Sequence, residues 1–317
     1  MNDAGPVSVV VPMYQSAATI ARAVRSALAQ LDEASEVIVV DDGSTDGGAD
    51  VALALADLRV RVVTQSNRGV SAARNAGVQA AKHPWVALLD ADDEWLPGHL
   101  EDFGRLRTEF PTSQVAATAY RFQQGDRSWV ARIGKVPGAT DAERCVLNDY
   151  FDVACRGHPP VWSSAVFVTR RALLDVGGFP DGVRSGEDRL TWARLAVRHP
   201  IAYARRPSVI YHLQPNDAAG GQLRRIPMDT WRVGPALEAL EMQVAPGRRG
   251  SLRRYVRHYY LGEASCFVRV PRRMSALRAV LRGARFGPLH AKVLAMGTMA
   301  LLPRAVVRWI YARRERA

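Results

Sequence analysis

The chain has 317 residues, 48% hydrophobic and 23% charged, an ordinary globular composition with room for a sizeable core in roughly two domains, or in one domain with a long appendage. Its formal net charge of +12 is unevenly placed: residues 221–317 carry 20 Lys+Arg against 5 Asp+Glu, whereas residues 1–220 carry 23 against 26. Cys145, Cys155 and Cys266 show neither C-x-x-C spacing nor a disulfide framework, no basic-then-apolar leader opens the chain, and the longest weakly polar stretch, Val293 to Pro303, is short for a membrane span.

Val7 to Val11 reads as a buried strand closed by Pro12, and Thr19 to Gln30 as a helix with Ile20, Ala23, Val24, Ala27 and Leu28 on one face. Val37 to Val40 is a second buried strand running into Asp41-Asp42-Gly43-Ser44, Ala49 to Leu58 a helix, and Val60 to Thr64 a third strand followed by Asn67-Arg68-Gly69. Ser71 to Ala81 is a helix and Trp85 to Leu89 the fourth strand. Such alternation implies right-handed βαβ units and a mostly parallel sheet flanked by helices, an α/β fold. Beyond residue 110 the pattern is less regular: strands over Val115–Phe122 and Trp162–Val168, a short helix over Arg170–Val176 stopped by Gly177-Gly178, and a helix over Ser185–Val197. From residue 221 the chain reads as Arg-rich helices broken by Pro and Gly, and no internal repeat is visible. Three regions result: 1–110 of nucleotide-binding type, 111–220 an acceptor side, and 221–317 a basic helical C-terminal region.

The fourth strand ends abruptly in Asp90-Ala91-Asp92-Asp93-Glu94. Unpaired carboxylates are costly to bury, so these acids belong at the strand's exit, where open α/β sheets bind ligands. Alternate carboxylates there are hard oxygen ligands suited to Mg2+ or Mn2+ carrying a phosphorylated substrate; the other reading is a polar turn with a helix cap. Asp41-Asp42-Gly43-Ser44 has the same double character, being also strong Asx-turn chemistry.

Four motifs share this sheet edge in order: Val11-Pro12-Met13-Tyr14, Asp41-Asp42-Gly43-Ser44, the stretch Asn67-Arg68-Gly69 through Arg74-Asn75-Ala76-Gly77, and Asp90-Ala91-Asp92-Asp93. Together they resemble the family 2 glycosyltransferases of GT-A fold, over residues 7–100 and again near 160–215. The resemblance implies a nucleoside-diphosphate sugar donor. Pro12 and Tyr14 would shape the pocket under the base, with Tyr14 as a rim aromatic the alternative. Asp41 and Asp42 would accept from the base and ribose, and Arg68 and Arg74 would serve the diphosphate or the nucleotide, since guanidinium forks match phosphate oxygens. A structural ion pair is the alternative for Arg74. Asp92 would ligate the metal, Asp90 reach the ribose or the metal, Asn75 fix loop geometry and Asp93 cap the next helix.

Transfer to a hydroxyl needs a base. Ser185-Gly186-Glu187-Asp188, following Val176-Gly177-Gly178-Phe179-Pro180, resembles the family's glycine-rich turn and Glu-Asp element, and by that resemblance Asp188 would be the base, with Glu187 positioning the acceptor or the base. Ser-x-x-Asp is also a capping-box-like helix start. One carboxylate base without a separate nucleophile suits direct displacement with inversion. His212 lies where some relatives place a metal- or diphosphate-contacting residue, although a lone His after an apolar run is more often structural. Trp162 and Trp192 read as core, Trp162 with a place near the acceptor. Gln222-Leu223-Arg224-Arg225-Ile226 departs from the Gln-x-x-Arg-Trp of processive synthases, with Ile226 in the Trp position, and implies transfer of one sugar per acceptor.

In the C-terminal region basic residues alternate with Leu294, Met296, Met299, Leu301-Leu302, Val306-Val307 and Trp309-Ile310-Tyr311, then Arg313-Arg314. That pattern suits an interfacial element on an anionic membrane; a solvated basic face or a homodimer surface are the alternatives, and no motif supports nucleic acid. The expectation is a non-processive, inverting, metal-dependent hexosyltransferase with Mn2+ or Mg2+. It would use a nucleoside-diphosphate sugar, a UDP-sugar first, and a saccharide or lipid-linked acceptor in cell-surface polysaccharide synthesis. Its place would be cytoplasmic, peripheral on the inner face of the membrane. The competing readings are a catalytically silent nucleotide-sugar binder or assembly subunit, and a nucleotidyltransferase, whose Gly-rich loop with Lys is absent from Val9 to Ala17.

Overall fold

The computed structural model describes residues 5–136, 143–213, 230–270, 272–287, 291–302, 306–307, 310 and 313. The chain divides into two compact units, Met1–Pro215 and Asn216–Ala317. The first is built on a ten-stranded sheet: β1 (Ser8–Met13), β2 (Glu36–Asp41), β3 (Val60–Thr64), β4 (Trp85–Leu88), β5 (Glu94–Trp95), β6 (Val115–Gln124), β7 (Arg127–Val130), β8 (Arg144–Leu147), β9 (Val166–Thr169) and β10 (Ile201–His212). The order is β3-β2-β1-β4-β9-β6-β10-β5, with β7 beside β6 and β8 beside β10.

Strands β3, β2, β1 and β4 pair in parallel. Strand β9 is antiparallel to both β4 and β6, so β6, and β10 paired parallel to it, run in the same sense as β4. The carboxyl ends of β1, β2, β4, β6 and β10 therefore share one edge of the sheet. One sheet crosses residue 110, so the nucleotide-binding and acceptor sides expected from the sequence rest on a common frame.

The helices are α1 (Ile20–Leu28), α2 (Gly48–Leu53), α3 (Val70–Ala80), α4 (His99–Glu109), α5 (Tyr150–Ala154), α6 (Arg170–Asp175) and α7 (Glu187–Arg198). In α1 the buried residues are Ile20, Ala23, Val24 and Ala27, the spacing that lays one helical face on a sheet. Helix α3 approaches closely at Gly77, where a Cβ would collide with the Val10 methyls of β1. That contact holds the preceding turn of α3, with Arg74 and Asn75, beside the sheet.

Several boundaries move for identifiable reasons. β1 runs through Pro12 to Met13, beyond the expected stop. Leu89 N–H donates to Val10 on the β4 side and Asp42 N–H to Met13 on the β2 side, so Pro12 alternates onto the β4 side past the last β4 partner, where its missing N–H leaves no ladder bond unmade. Helix α2 ends at Leu53 rather than Leu58: Ala56 adopts φ +53° and the Asp57 carboxylate accepts from Arg59 N–H at 2.9 Å, a turn that launches β3. The stretch Trp162–Val168 splits into a 3-10 turn, Ser163–Ala165, and β9.

The second unit contains helices Thr230–Ala239, Arg249–Arg269, Arg273–Ala284 and Ala291–Leu301. Leu261, Ala264, Phe267, Ala276, Ala279, Val280, Val293, Met296 and Ala300 form its apolar cluster. Met274 and Leu281, at i and i+7, remain exposed with Arg278 between them, and Leu294 and Leu301 are exposed on the following helix. Among the described residues no helix is long and apolar enough to cross a membrane. The Gln222–Ile226 stretch, residues 220–221 of the expected domain boundary, and Trp309, Tyr311 and Arg314 lie outside the described residues.

Candidate active site

At the exit of β4 the three acids take different environments. Asp93 is fully buried and accepts hydrogen bonds from Ser164 Oγ and, at 3.2 Å, from Trp162 Nε1. Burial, and then the neighbouring charges of Asp90 and Asp92, push its carboxyl well above the usual range. Asp93 does not cap the following helix as expected: α4 starts after Gly98, in the left-handed conformation, and the Asp93 side chain turns into the core toward Ser164 and Trp162 instead. Asp92 is half-buried, and its carbonyl accepts from Arg22 Nη2 at 2.6 Å. The Asp90 backbone N–H donates to Ser164 Oγ at 3.0 Å, so one serine joins Asp90 to Asp93.

Arg74, projecting from α3, is buried between two acids. Its Nη2 donates to Asp90 at 2.7 Å and its Nη1 to Glu187 at 3.2 Å, while its guanidinium lies 5.1 Å from the Phe179 ring centroid. Burial opposes its charge, but Asp90 and Glu187 outweigh it, and the pKa is raised. Both arms of the fork are thus occupied by carboxylates, the ion pair foreseen as the alternative to phosphate binding. Burial and the adjacent Asp188 raise the Glu187 pKa, against the pull of Arg74.

Asn75, the next residue of α3, fixes the glycine-rich turn. Its Nδ2 donates to the Phe179 carbonyl at 2.8 Å and to Asp181 at 3.2 Å, and its Oδ1 accepts from Phe179 N–H at 2.9 Å. Gly178, at φ +63°, would place a Cβ 2.6 Å from Asn75 Oδ1. The turn delivers α7, which starts after Gly186 at φ +82° with no side-chain cap. The Ser185 capping box is therefore not formed. Asp188 is half-buried in the first turn, and its Oδ1 accepts from Arg189 N–H at 2.7 Å. Trp192, 1% exposed and edge-on to Phe179, is core, as expected.

On the other side of β4, the buried Pro12 ends β1 with Met13, and Tyr14 follows half-exposed at the rim. Asp41 Oδ1 accepts from Ser44 N–H at 2.9 Å, so the Asx turn is formed. Asp42 holds the β3–α3 loop: Oδ1 accepts from Gln65 Nε2 at 2.7 Å and Arg68 N–H at 2.9 Å, and Oδ2 from Gly69 N–H at 2.7 Å. The Arg68 guanidinium is exposed, 3.5 Å from Asp181.

His212, at the end of β10, meets Glu94 Oε2 at 3.1 Å, and Arg22 Nε lies 3.8 Å from the same carboxylate. Burial and then Arg22 lower the His212 pKa, against Glu94. Strand β5 makes this contact by pairing Ile210 with Glu94. Among the described residues no three His, Cys, Asp or Glu side chains converge as a metal-holding group, so Asp90, Asp92 and His212 do not form a closed cage. Two carboxylates at one strand exit nevertheless fit Mg2+ or Mn2+, which is commonly held by one or two carboxylates with the rest of its shell from water and substrate phosphates.

Sequence reasoning missed Ser164, Arg22 and Glu94. Ser164 comes from 71 positions beyond Asp93 and has no periodic or motif signal. Glu94 stands in the acidic run with no role of its own there, because the two-residue β5 is too short to announce itself.

Residues 8–158 match the model of glycosyl transferase family 2. The chain is 48% identical over 209 residues to the succinoglycan biosynthesis protein ExoU of Rhizobium meliloti, covering 61% of this chain and 58% of that protein. It is 48% identical over 95 residues to ExoO of the same organism, covering 30% and 27%, and 30% identical over 211 residues to the uncharacterized protein MT1568 of Mycobacterium tuberculosis, covering 64% and 66%. The matches thus span less than two thirds of these relatives' own lengths. Among solved structures, S. aureus TarS 1–349 in complex with UDP-GlcNAc superposes with a TM-score of 0.68 at 18% identity, over 98% of this chain and 88% of that one. The mannosyltransferase PcManGT from Pyrobaculum calidifontis, with GDP-Man and Mn2+, gives 0.59 at 20% identity over 98% and 84%. At those identities the likeness shows the fold, GT-A. With the sheet order and the acids at the β4 exit, the family match identifies residues 8–158 as a glycosyl transferase family 2 domain.

Proposed function

We propose that this chain is an inverting glycosyltransferase that moves a sugar from a nucleoside-diphosphate sugar, a UDP-sugar first, to a hydroxyl of a saccharide or lipid-linked saccharide. The observation that carries the reading is Arg74, whose two arms tie Asp90 at the β4 exit to Glu187 at the start of α7. Asp188, next to Glu187, also acts electrostatically on the same guanidinium, which supports a base candidate close to the donor-side carboxylates.

In this reading Tyr14 and Pro12 border the base, Asp41 and Asp42 hold the loops around the nucleoside, and the exposed Arg68 is available to the diphosphate. Asp92, with Asp90 beside it, would hold Mn2+ or Mg2+, which neutralises charge on the departing diphosphate. Asp188 takes the proton of the acceptor hydroxyl. The acceptor oxygen bonds to the anomeric carbon from the face opposite the diphosphate, the bond from that carbon to the diphosphate oxygen breaks, and the configuration inverts. Glu187, held by Arg74, positions Asp188 by fixing the first turn of α7.

The relatives named for succinoglycan biosynthesis support cell-surface polysaccharide as the product, and the neighbours solved with UDP-GlcNAc and with GDP-Man and Mn2+ support a nucleotide-sugar donor and a divalent ion. Ile226 in the Trp position of processive synthases supports one addition per acceptor. The exposed apolar side chains and arginines of the second unit support attachment to the anionic inner face of the membrane.

The test is purified full-length chain with UDP- and GDP-sugars, Mn2+ and a saccharide acceptor. Asp188→Asn should lose transfer at least roughly a hundredfold, the scale of general-base catalysis, while donor affinity holds. Wild-type turnover in that variant, or no stabilisation by any nucleotide sugar, overturns the reading.

A further inference from the structure

The carboxyl edge of the sheet has a second half that the donor chemistry does not use. On β6 and its neighbours it is aromatic rather than acidic. Phe122 of β6 stands directly opposite Trp129 of β7 and Tyr211 of β10 in register, so the three side chains lie on one face as a cross-strand row. The ring contacts agree: Phe122 stacks on Trp129 with centroids 5.5 Å apart and an interplanar angle of 28°, and meets Tyr211 at 5.6 Å. Tyr211 in turn meets Trp162 at 4.5 Å, and Trp162 donates to Asp93.

The row therefore begins at the β4-exit acids and runs outward. Its inner floor, Tyr120 and Tyr211, is buried; Phe122 and Trp162 are half-buried; Trp129 at the outer end is 40% exposed on a strand whose four residues all face solvent. Tyr120 lies under Trp162 with ring centroids 5.5 Å apart, and burial, then Tyr203 and Asp188, raise its pKa, so the charge of the base candidate is felt at the inner end. A packed core has no need of an indole stacked on a solvent-facing hairpin, whereas flat aromatic faces with a polar surround suit the apolar C–H faces of a pyranose.

Resting on the glycosyltransferase reading above, we propose that Trp129, Phe122 and Trp162 form a stacking track for the pyranose rings of a saccharide acceptor, leading its terminal sugar inward toward Asp188. Trp162 carries the inner subsite, oriented by its hydrogen bond to Asp93. Trp129 carries an outer subsite, so the track recognises at least a disaccharide and favours sugars whose substituents are equatorial, since these leave a flat face.

The probe is cellotetraose, an all-equatorial oligosaccharide, tested on the full chain by saturation-transfer NMR and by titration. Wild type should transfer saturation to sugar C–H protons. Trp129→Ala should weaken binding fivefold or more, Trp129→Phe should stay within twofold of wild type, and neither should change the melting temperature or the affinity for UDP-glucose with Mn2+. Wild-type affinity in Trp129→Ala, or no saturation transfer from wild type to the probe, overturns the track. Failure of the glycosyltransferase reading shows separately, as absence of nucleotide-sugar binding and transfer with the probe still bound at Trp129.

Discussion

Arg74 and Glu187 meet at 3.2 Å although 113 positions separate them, and the other arm of the same guanidinium holds Asp90 at 2.7 Å. The arginine is 4% exposed, so a cation taken out of water is compensated by two acids from the two sides of the site. Such an arrangement is costly to break from one side, because the remaining charges stay buried without a partner.

Arg74→Met should therefore lower the free energy of unfolding by about 3–5 kcal/mol, the usual scale for removing one partner of a buried ion pair. Adding Glu187→Gln removes one of the stranded charges and should restore part of that loss. Urea unfolding of the two variants checks it. A single mutant within about 1 kcal/mol of wild type would show that the pair is dispensable.

Gly178 and Asn75 make a second coupled pair. Gly178→Ala carries two costs: the strain of a non-glycine residue at φ +63°, and the clash of its Cβ with Asn75 Oδ1 at 2.6 Å. A loss of about 1–3 kcal/mol is expected. Asn75→Ala removes the clash but not the strain, so the double mutant should lose less than the sum of the two single mutants. A thermodynamic cycle from denaturant melts measures this; strict additivity refutes the contact.

The same residues show what a sequence can and cannot carry. Strand β3 coincides with the five residues expected, Val60–Thr64, whose valines are spaced for a strand, and the core face of α1 follows its spacing, because both are decided by local pattern. Helix α4 was not foreseen, since its buried face includes His99, Asp102 and Gly104, which read as polar or small. Strand β10 crosses Arg205-Arg206-Pro207 through shifts in register, which no alternation rule anticipates. Asp92 and Asp93 are neighbours in sequence, yet only contact with Ser164 and Trp162 decides that Asp93 is the buried one. The motif positions were legible; their division into ligand-facing and structural groups needed the tertiary contacts.

His99, which is not among the candidate ligands, gives a pH prediction. Its ring is fully buried, 2.8 Å from Ser208 Oγ, with Arg206 the charged group acting on it. Burial, then Arg206, lower its pKa to about 3. The unfolded chain takes up a proton here near pH 6.5 and the native protein does not, so stability is complete above about 6.5 and falls on acidification toward 3, by at most about 1.4 kcal/mol per pH unit from this group. The His99 ring resonances should stay unshifted from pH 8 to 5, and a midpoint near 6.5 in the folded protein would contradict its burial.

On the second unit, Arg278 and Arg285 flank Leu281 on the exposed side of helix Arg273–Ala284 and just past its end, and Met274 and Leu281 are 65% and 68% exposed. Arginines beside exposed apolar side chains suit an anionic bilayer surface, where each basic residue contributes about 1 kcal/mol. Full-length chain should float with vesicles containing phosphatidylglycerol and remain behind with phosphatidylcholine alone. Arg278→Gln with Arg285→Gln should weaken flotation by roughly 30-fold, two such contributions, and added salt should mimic the effect. Leu281→Glu should weaken it further by opposing both the apolar and the electrostatic contact. Full-length protein that ignores anionic vesicles would leave the basic face as a solvated surface, and concentration-dependent self-association abolished by the same substitutions would assign it to a dimer.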